Sequence, residues 1–261
     1  MRGINVSLLT KSGLVRLNHM KNEDNLALSA SGYDPYRRIA DPMHTILFLA
    51  VEAVLAYGGA IRTHQLRASA NPDRIYLYAR LIAGEWLLLA FVIAGLRVHG
   101  TPVRAFLGER WRSIVDFLRD LGIGLVFWMV TLVVISVLGG ISGDHGDNRA
   151  VQFLLPHGAA ELAMWLGVSV TAGICEEAIF RGYLQRQMGA LAKNIPVGIV
   201  FSATMFGGAH LYQGWRRATL IGIQGVLFGM LAHWRKSVRP GIIAHAWQDA
   251  TAPLLLRLVK H

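Results

Sequence analysis

Apolar stretches, each near the length of a bilayer crossing, alternate with short polar segments along most of this 261-residue chain. About 20 helical residues span a hydrocarbon core. Seven stretches meet that length: about Met43 to Ala60, Ile75 to Leu96, Ile114 to Leu138, Ala159 to Met188, Ile195 to Leu211, Ala218 to Trp234, and Pro240 to Val259. A further short or re-entrant helix fits Ala150–Pro156 and would make eight. The pattern predicts an all-α, polytopic membrane helical bundle. Residues 1–40 are mixed and polar, with apolar runs too short for a signal-peptide core, and are expected to be poorly structured. Residues 41–261 are expected to form a single transmembrane helical domain.

Composition agrees with the pattern. Hydrophobic residues make up 53% and charged residues 16%, against about 25% charged in a soluble domain. The formal net charge of +10 reads as basic residues flanking helices and facing anionic headgroups. No nucleic-acid-reading motif accompanies it. Arg97, Arg104, Arg110 and Arg112 precede the third stretch, and Arg235, Lys236 and Arg239 precede the seventh; both clusters point to the cytoplasmic side. Arg62, Arg67 and Arg74 follow the first stretch and point the other way. The run Gly139–Asn148 is a turn-forming, acidic loop suited to the opposite face. The single cysteine, Cys175, excludes an intrachain disulfide and any cysteine-based metal cluster. Its apolar setting suits a small core residue better than a thiol nucleophile.

Three polar sets interrupt the last four stretches. Glu176 and Glu177 lie side by side in an apolar segment, where a charge costs roughly 2.5–3.5 kcal/mol on insertion scales. On an α-helix they point about 100° apart, so they should not address one target. Glu177 and Arg181, at i,i+4, share a face and pair, which leaves Glu176 as the free carboxylate. Phe206 and His210 share a face of the fifth stretch, where Gly207, Gly208 and Ala209 would admit a neighbouring helix closely. His245 and Asp249 share a face of the seventh, where the carboxylate can fix the imidazole tautomer. Taken singly, each set also fits a structural role: a helix-end charge cluster, an interfacial histidine, a packing pair.

The ordered set Glu-Glu-x-x-x-Arg, Phe-x-x-x-His and His-x-x-x-Asp resembles the CPBP family of intramembrane proteases. That family includes the CAAX prenyl endopeptidases and bacterial relatives once called bacteriocin-processing or abortive-infection-like proteins. The resemblance covers about 159–252, including Phe180–Gln185 and the glycine-rich Gly222–Gly229. It implies hydrolysis of a peptide bond in a membrane-associated substrate. Glu176 and His210 would activate water, His245 and Asp249 would stabilise the oxyanion, and Glu177, Arg181 and Phe206 would support them. The last position is often Asn in the family. An ionised Asp249 cannot donate a hydrogen bond, so it either carries a proton or only orients His245.

Glu176, His210 and His245 are also the ligand types of some catalytic zinc sites. The His-Glu-x-x-His helix that would supply a separate base is absent, so a cofactor-free glutamate mechanism is favoured and zinc is kept as the alternative. Glu52, Glu85 and Glu161 also lie in or near apolar stretches; Glu52 and Glu85, in mid-stretch, are expected to pair with an arginine or face the cavity, without a catalytic role. The expected partners are the bilayer and a membrane-anchored peptide or protein, with no nucleic acid, and the expected place is the inner (cytoplasmic) membrane, multi-pass. Two other functions fit a bundle with buried acids: a non-proteolytic scaffold or immunity-type protein, and a proton-coupled transporter, though neither an inverted repeat nor paired broken helices accompany it. One geometric condition follows. The fourth and fifth stretches run antiparallel, so Glu176 and His210 meet only if the fourth helix continues well past Arg181.

Overall fold

The computed structural model describes residues 36–67, 72–108, 110–143 and 153–258. These residues form helices α1 (Pro42–Arg67), α2 (Arg74–Val98), α3 (Val103–Leu107), α4 (Ile114–Ser142), α5 (Ala159–Glu176), α6 (Gln185–Ala192), α7 (Ile195–Ala209), α8 (Trp215–Arg235) and α9 (Arg239–Leu258). A π-helical segment, Glu177–Leu184, joins α5 to α6, and a 3₁₀ turn, Leu211–Gln213, follows α7. Among the described residues there is no strand. Each of the seven apolar stretches is helical. The short α3 was not foreseen. Residues 153–156 form a turn rather than an extra helix, and residues 150–152, like residues 1–35, lie outside those described.

Four helical spans are long and apolar enough to cross a membrane: Pro42–Leu66, Arg74–Val98, Ile114–Ser142 and Ala159–Ala192. Ile195–Ala209 is a shorter apolar helix. Their outer faces carry Val54, Leu87, Val133 and Val170, each more than half exposed, while Glu177, Arg181 and Gln187 are buried. That distribution would be costly in water and suits a lipid environment, where polar groups must find partners inside the protein.

The long helix from Ala159 to Ala192 is the central element. α2 runs parallel to it: Tyr78 packs edge-on to Trp165 at 5.8 Å, and Trp86 Nε1 donates to Thr171 Oγ1 at 3.3 Å. α1 runs antiparallel to it. The Thr45 hydroxyl bonds the Tyr183 hydroxyl at 3.0 Å, and Gln187 Oε1 accepts from the Ile39 and Ala40 amides at 3.0 and 3.2 Å. Leu89, Val92, Cys175, Ile179 and Tyr183 share one buried core. Cys175 is fully buried there, a packing residue.

The condition on helix length is met. The fourth helix does not end at Gly182 but continues to Ala192, where Lys193 closes it in a left-handed cap and the Asn194 side chain caps α7 through the Val197 amide. Glu176 lies 17 residues before Lys193 and His210 lies 17 after it (193 − 176 = 17; 210 − 193 = 17). Packed antiparallel, the two arms of this hairpin bring both residues to the same depth. Phe180 and Phe206, with ring centroids 5.1 Å apart, and the 2.6 Å bond from Ser202 Oγ to the Phe180 carbonyl fix that register.

Candidate active site

Close helix approach assembles the site. At Gly173 a Cβ atom would lie 2.9 Å from both the Ala246 nitrogen and the Ile242 oxygen, so α9 reaches the α5 backbone only because that residue is glycine. At Gly207 a Cβ would lie 2.7 Å from the Ala218 oxygen and 3.1 Å from the Gly222 Cα, which seats α8 against α7. Of the small residues foreseen on α7, Gly207 makes this approach, whereas a Cβ at Gly208 would meet nothing within 4 Å. Trp165 Nε1 donates to the Asp249 carbonyl at 2.9 Å, and the Gln224 and Gln248 side chains bond to each other, tying α9 to α5 and to α8.

His245 is the centre of the arrangement. Its Nδ1 lies 3.0 Å from Glu177 Oε1, and its Nε2 lies 3.5 Å from Glu176 Oε2 and 3.6 Å from Asp249 Oδ2. The expectation that the adjacent glutamates cannot address one target is therefore corrected. Successive helical residues point about 100° apart, and the imidazole from α9 meets both carboxylates, each at a different ring nitrogen. The predicted i,i+4 pair of Glu177 and Arg181 is present, with Arg181 Nη1 donating to Glu177 Oε1 at 2.8 Å and both side chains about 1% exposed. One carboxylate oxygen thus accepts from both a guanidinium and an imidazole, which fixes His245 with Nδ1 as donor.

Phe206 and Phe228 hold this pair from two sides. The Arg181 guanidinium lies 4.2 Å from the Phe206 centroid and 5.2 Å from that of Phe228, within cation–π range. Phe206 also lies 4.9 Å from the His210 ring and 6.1 Å from the His245 ring, so it touches both imidazoles. His210 ends α7, and its Nδ1 donates to the Phe206 carbonyl at 2.8 Å. That bond leaves Nε2 of the neutral ring as an acceptor.

Glu176 differs from its neighbour. It is 15% exposed, and its buried Oε2 makes no hydrogen bond. Asp249 is 30% exposed. The site is therefore open on the side bounded by Glu176 and Asp249 and closed on the side of Glu177 and Arg181. An open carboxylate beside an imidazole whose other nitrogen is anchored can activate water and then move its proton.

Two residues given no catalytic role in the sequence reading approach this open side. Glu85 continues the α2 seam of Leu89, Val92 and Leu96 one turn earlier and lies within electrostatic reach of Glu176, His245, Asp249 and Glu52. Glu161 pairs with Arg74 at 3.8 Å. Tyr212 stacks on His210 with centroids 5.9 Å apart. It stands two residues beyond a motif histidine in a 3₁₀ turn that helical spacing does not reveal.

Among the described residues, no three His, Cys, Asp or Glu side chains come together as ligands for an ion. His245 Nδ1 and His210 Nδ1 are both bonded to protein oxygens, which leaves Nε2 of each ring facing the site.

Residues 158–251 match the Rce1-like family of type II CAAX prenyl endopeptidases. The motif resemblance thus has a family match behind it. The matched stretch contains Glu176, Glu177, Arg181, Phe206, His210, His245 and Asp249. It excludes α1 to α4, and hence Glu85 and Glu52. The comparisons with curated proteins and with solved structures returned no match.

Proposed function

We propose that this protein is an intramembrane endopeptidase that hydrolyses a peptide bond in a membrane-associated protein or peptide, using a glutamate-activated water. The observation that carries the proposal is the clamping of His245 between Glu176 and Glu177, halfway along a 34-residue apolar helix. The Rce1-like match over the same residues supports it. A charged cluster at that depth is expensive and is expected to serve chemistry.

In the proposed mechanism, a water held between Glu176 Oε2 and His210 Nε2 attacks the scissile carbonyl carbon. Glu176 takes the proton as the C–O bond forms. His245, anchored through Nδ1 to Glu177, presents Nε2–H to the developing oxyanion. Collapse of the tetrahedral intermediate breaks the C–N bond, and the departing amine takes the proton back from Glu176. Asp249 orients His245 from the open side. General base catalysis of this kind contributes about 10²–10⁴-fold, and one oxyanion donor about 10²–10³-fold.

The helices of all seven apolar stretches are proposed to cross the bilayer. α8 and α9 have 21 and 20 residues, or about 30 Å each at 1.5 Å per residue. The proposed location is the inner (cytoplasmic) membrane.

The test compares membrane proteomes of cells carrying the wild type with cells carrying Glu176→Gln, at matched expression. New peptide termini near membrane segments should appear only with the wild type. Cleavage retained at the wild-type level by a folded Glu176→Gln variant would refute the assignment.

A further inference from the structure

The two site histidines are held in different ways. His245 is oriented by carboxylates, with Glu177 at Nδ1 and Glu176 and Asp249 near Nε2. His210 forms no ion pair among the described residues. It lies one residue beyond α7, at φ −98° and ψ 10°, where the regular helix has ended. One hydrogen bond, from Nδ1 to the Phe206 carbonyl at 2.8 Å, sets a direction but lets the ring pivot about that bond.

Aromatic contacts limit the pivot. Phe206 lies 4.9 Å from the imidazole and is tilted by 59°. Tyr212 lies 5.9 Å away and only 29° from parallel, within the range of offset stacking. A near-parallel neighbour restrains the plane of the imidazole more than a tilted one does.

Tyr212 is itself fixed. Its 3₁₀ turn is closed by the Gln213 amide on the His210 carbonyl and the Gly214 amide on the Leu211 carbonyl, both at 2.9 Å. Gly214, at φ 97°, takes a conformation that favours glycine and leads into α8. Gln213 Nε2 donates to the Tyr212 hydroxyl at 3.0 Å and restrains the phenol. Glu176, Asp249 and Glu85 lie within electrostatic reach of that phenol, which puts the stack at the open side of the site.

We infer that Tyr212 is a positioning residue, whose ring holds the His210 imidazole so that Nε2 meets the water beside Glu176; its part in hydrolysis rests on the peptidase reading above. The ring face does this work, and the hydroxyl does not.

Two measurements test the role. The full-length protein, with nitrogen-15-labelled histidine, is examined by NMR in uncharged detergent at a pH where His210 is neutral, its signals assigned from His210→Gln. Wild type and Tyr212→Phe should each show one tautomer, protonated at Nδ1. Tyr212→Leu, of similar bulk but without a planar face, should move the His210 signals toward the average of the two tautomers. Cleavage is then measured on a peptide identified by the proteomic comparison. Tyr212→Leu should lower kcat by about 10–100-fold with KM changed less than about twofold, and Tyr212→Phe should keep at least about a third of the wild-type kcat. Cleavage retained by Glu176→Gln would remove the peptidase reading and the role in hydrolysis with it, while the NMR measurement still decides whether the ring holds the imidazole. The positioning role is overturned if Tyr212→Leu leaves the His210 signals or kcat as in wild type, or if Tyr212→Phe loses as much as Tyr212→Leu.

Discussion

The pair of Glu177 and Arg181 offers a sharp test, because both side chains are about 1% exposed and share one oxygen with His245. Arg181→Met replaces the guanidinium with an apolar chain of similar reach. It leaves Glu177 buried against the His245 imidazole without the guanidinium. Breaking a buried pair from one side costs about 3–5 kcal/mol, because the surviving charge is uncompensated. Two aromatic contacts to Arg181, at 4.2 and 5.2 Å, would be lost as well. For a chain of this size about 1 kcal/mol moves the midpoint by about 2–4 °C, so a fall of roughly 6–20 °C is expected. The double variant Glu177→Leu/Arg181→Met removes both charges and should melt well above the sum of the single losses. Unfolding is read by labelling of Cys175, the only thiol in the chain and buried one residue before Glu176. A single variant within about 2 °C of wild type, or a double variant as unstable as the summed singles, would refute the claim that this pair is a mutually compensated unit.

Other expectations follow from the same geometry. Gly173→Ala places a methyl 2.9 Å from the α9 backbone. It should cost about 1–3 kcal/mol of stability and, by pushing His245 away from Glu176, slow cleavage by about 10–100-fold; kcat measured on a peptide identified by the proteomic comparison checks this, and a rate within twofold of wild type would contradict it. Asp249→Asn supplies an N–H beside His245 Nε2, 3.6 Å from the present carboxylate. Cleavage should be kept or increased, whereas a loss of more than about tenfold would mean that the negative charge itself is needed.

Hydropathy was enough to locate the helices of the seven apolar stretches, because each stretch stays apolar over several helical turns. It could not find α3, whose five residues bury little. Nor could it reveal the π-helical turn, which depends on backbone hydrogen bonding and leaves no mark on polarity. Spacing found Glu177 with Arg181 and His245 with Asp249, since i,i+4 neighbours meet on any helix. It failed for the glutamate pair, because angular phase ignores side-chain length and cannot anticipate a ring from a third helix entering between them. Glu85 was visible only as an acid in an apolar stretch. Its nearness to Glu176 comes from α2 running parallel to the central helix, which nothing in the local sequence encodes.

The hairpin at Lys193 works like a folded ruler with Glu176 and His210 at matching marks. One residue inserted into either arm alone would slide one mark by about 1.5 Å and turn it by about 100°, carrying the two groups apart. Chain-length changes should therefore be accepted in this region only when both arms change in step. A library of single and paired insertions around the turn would make that coupling measurable.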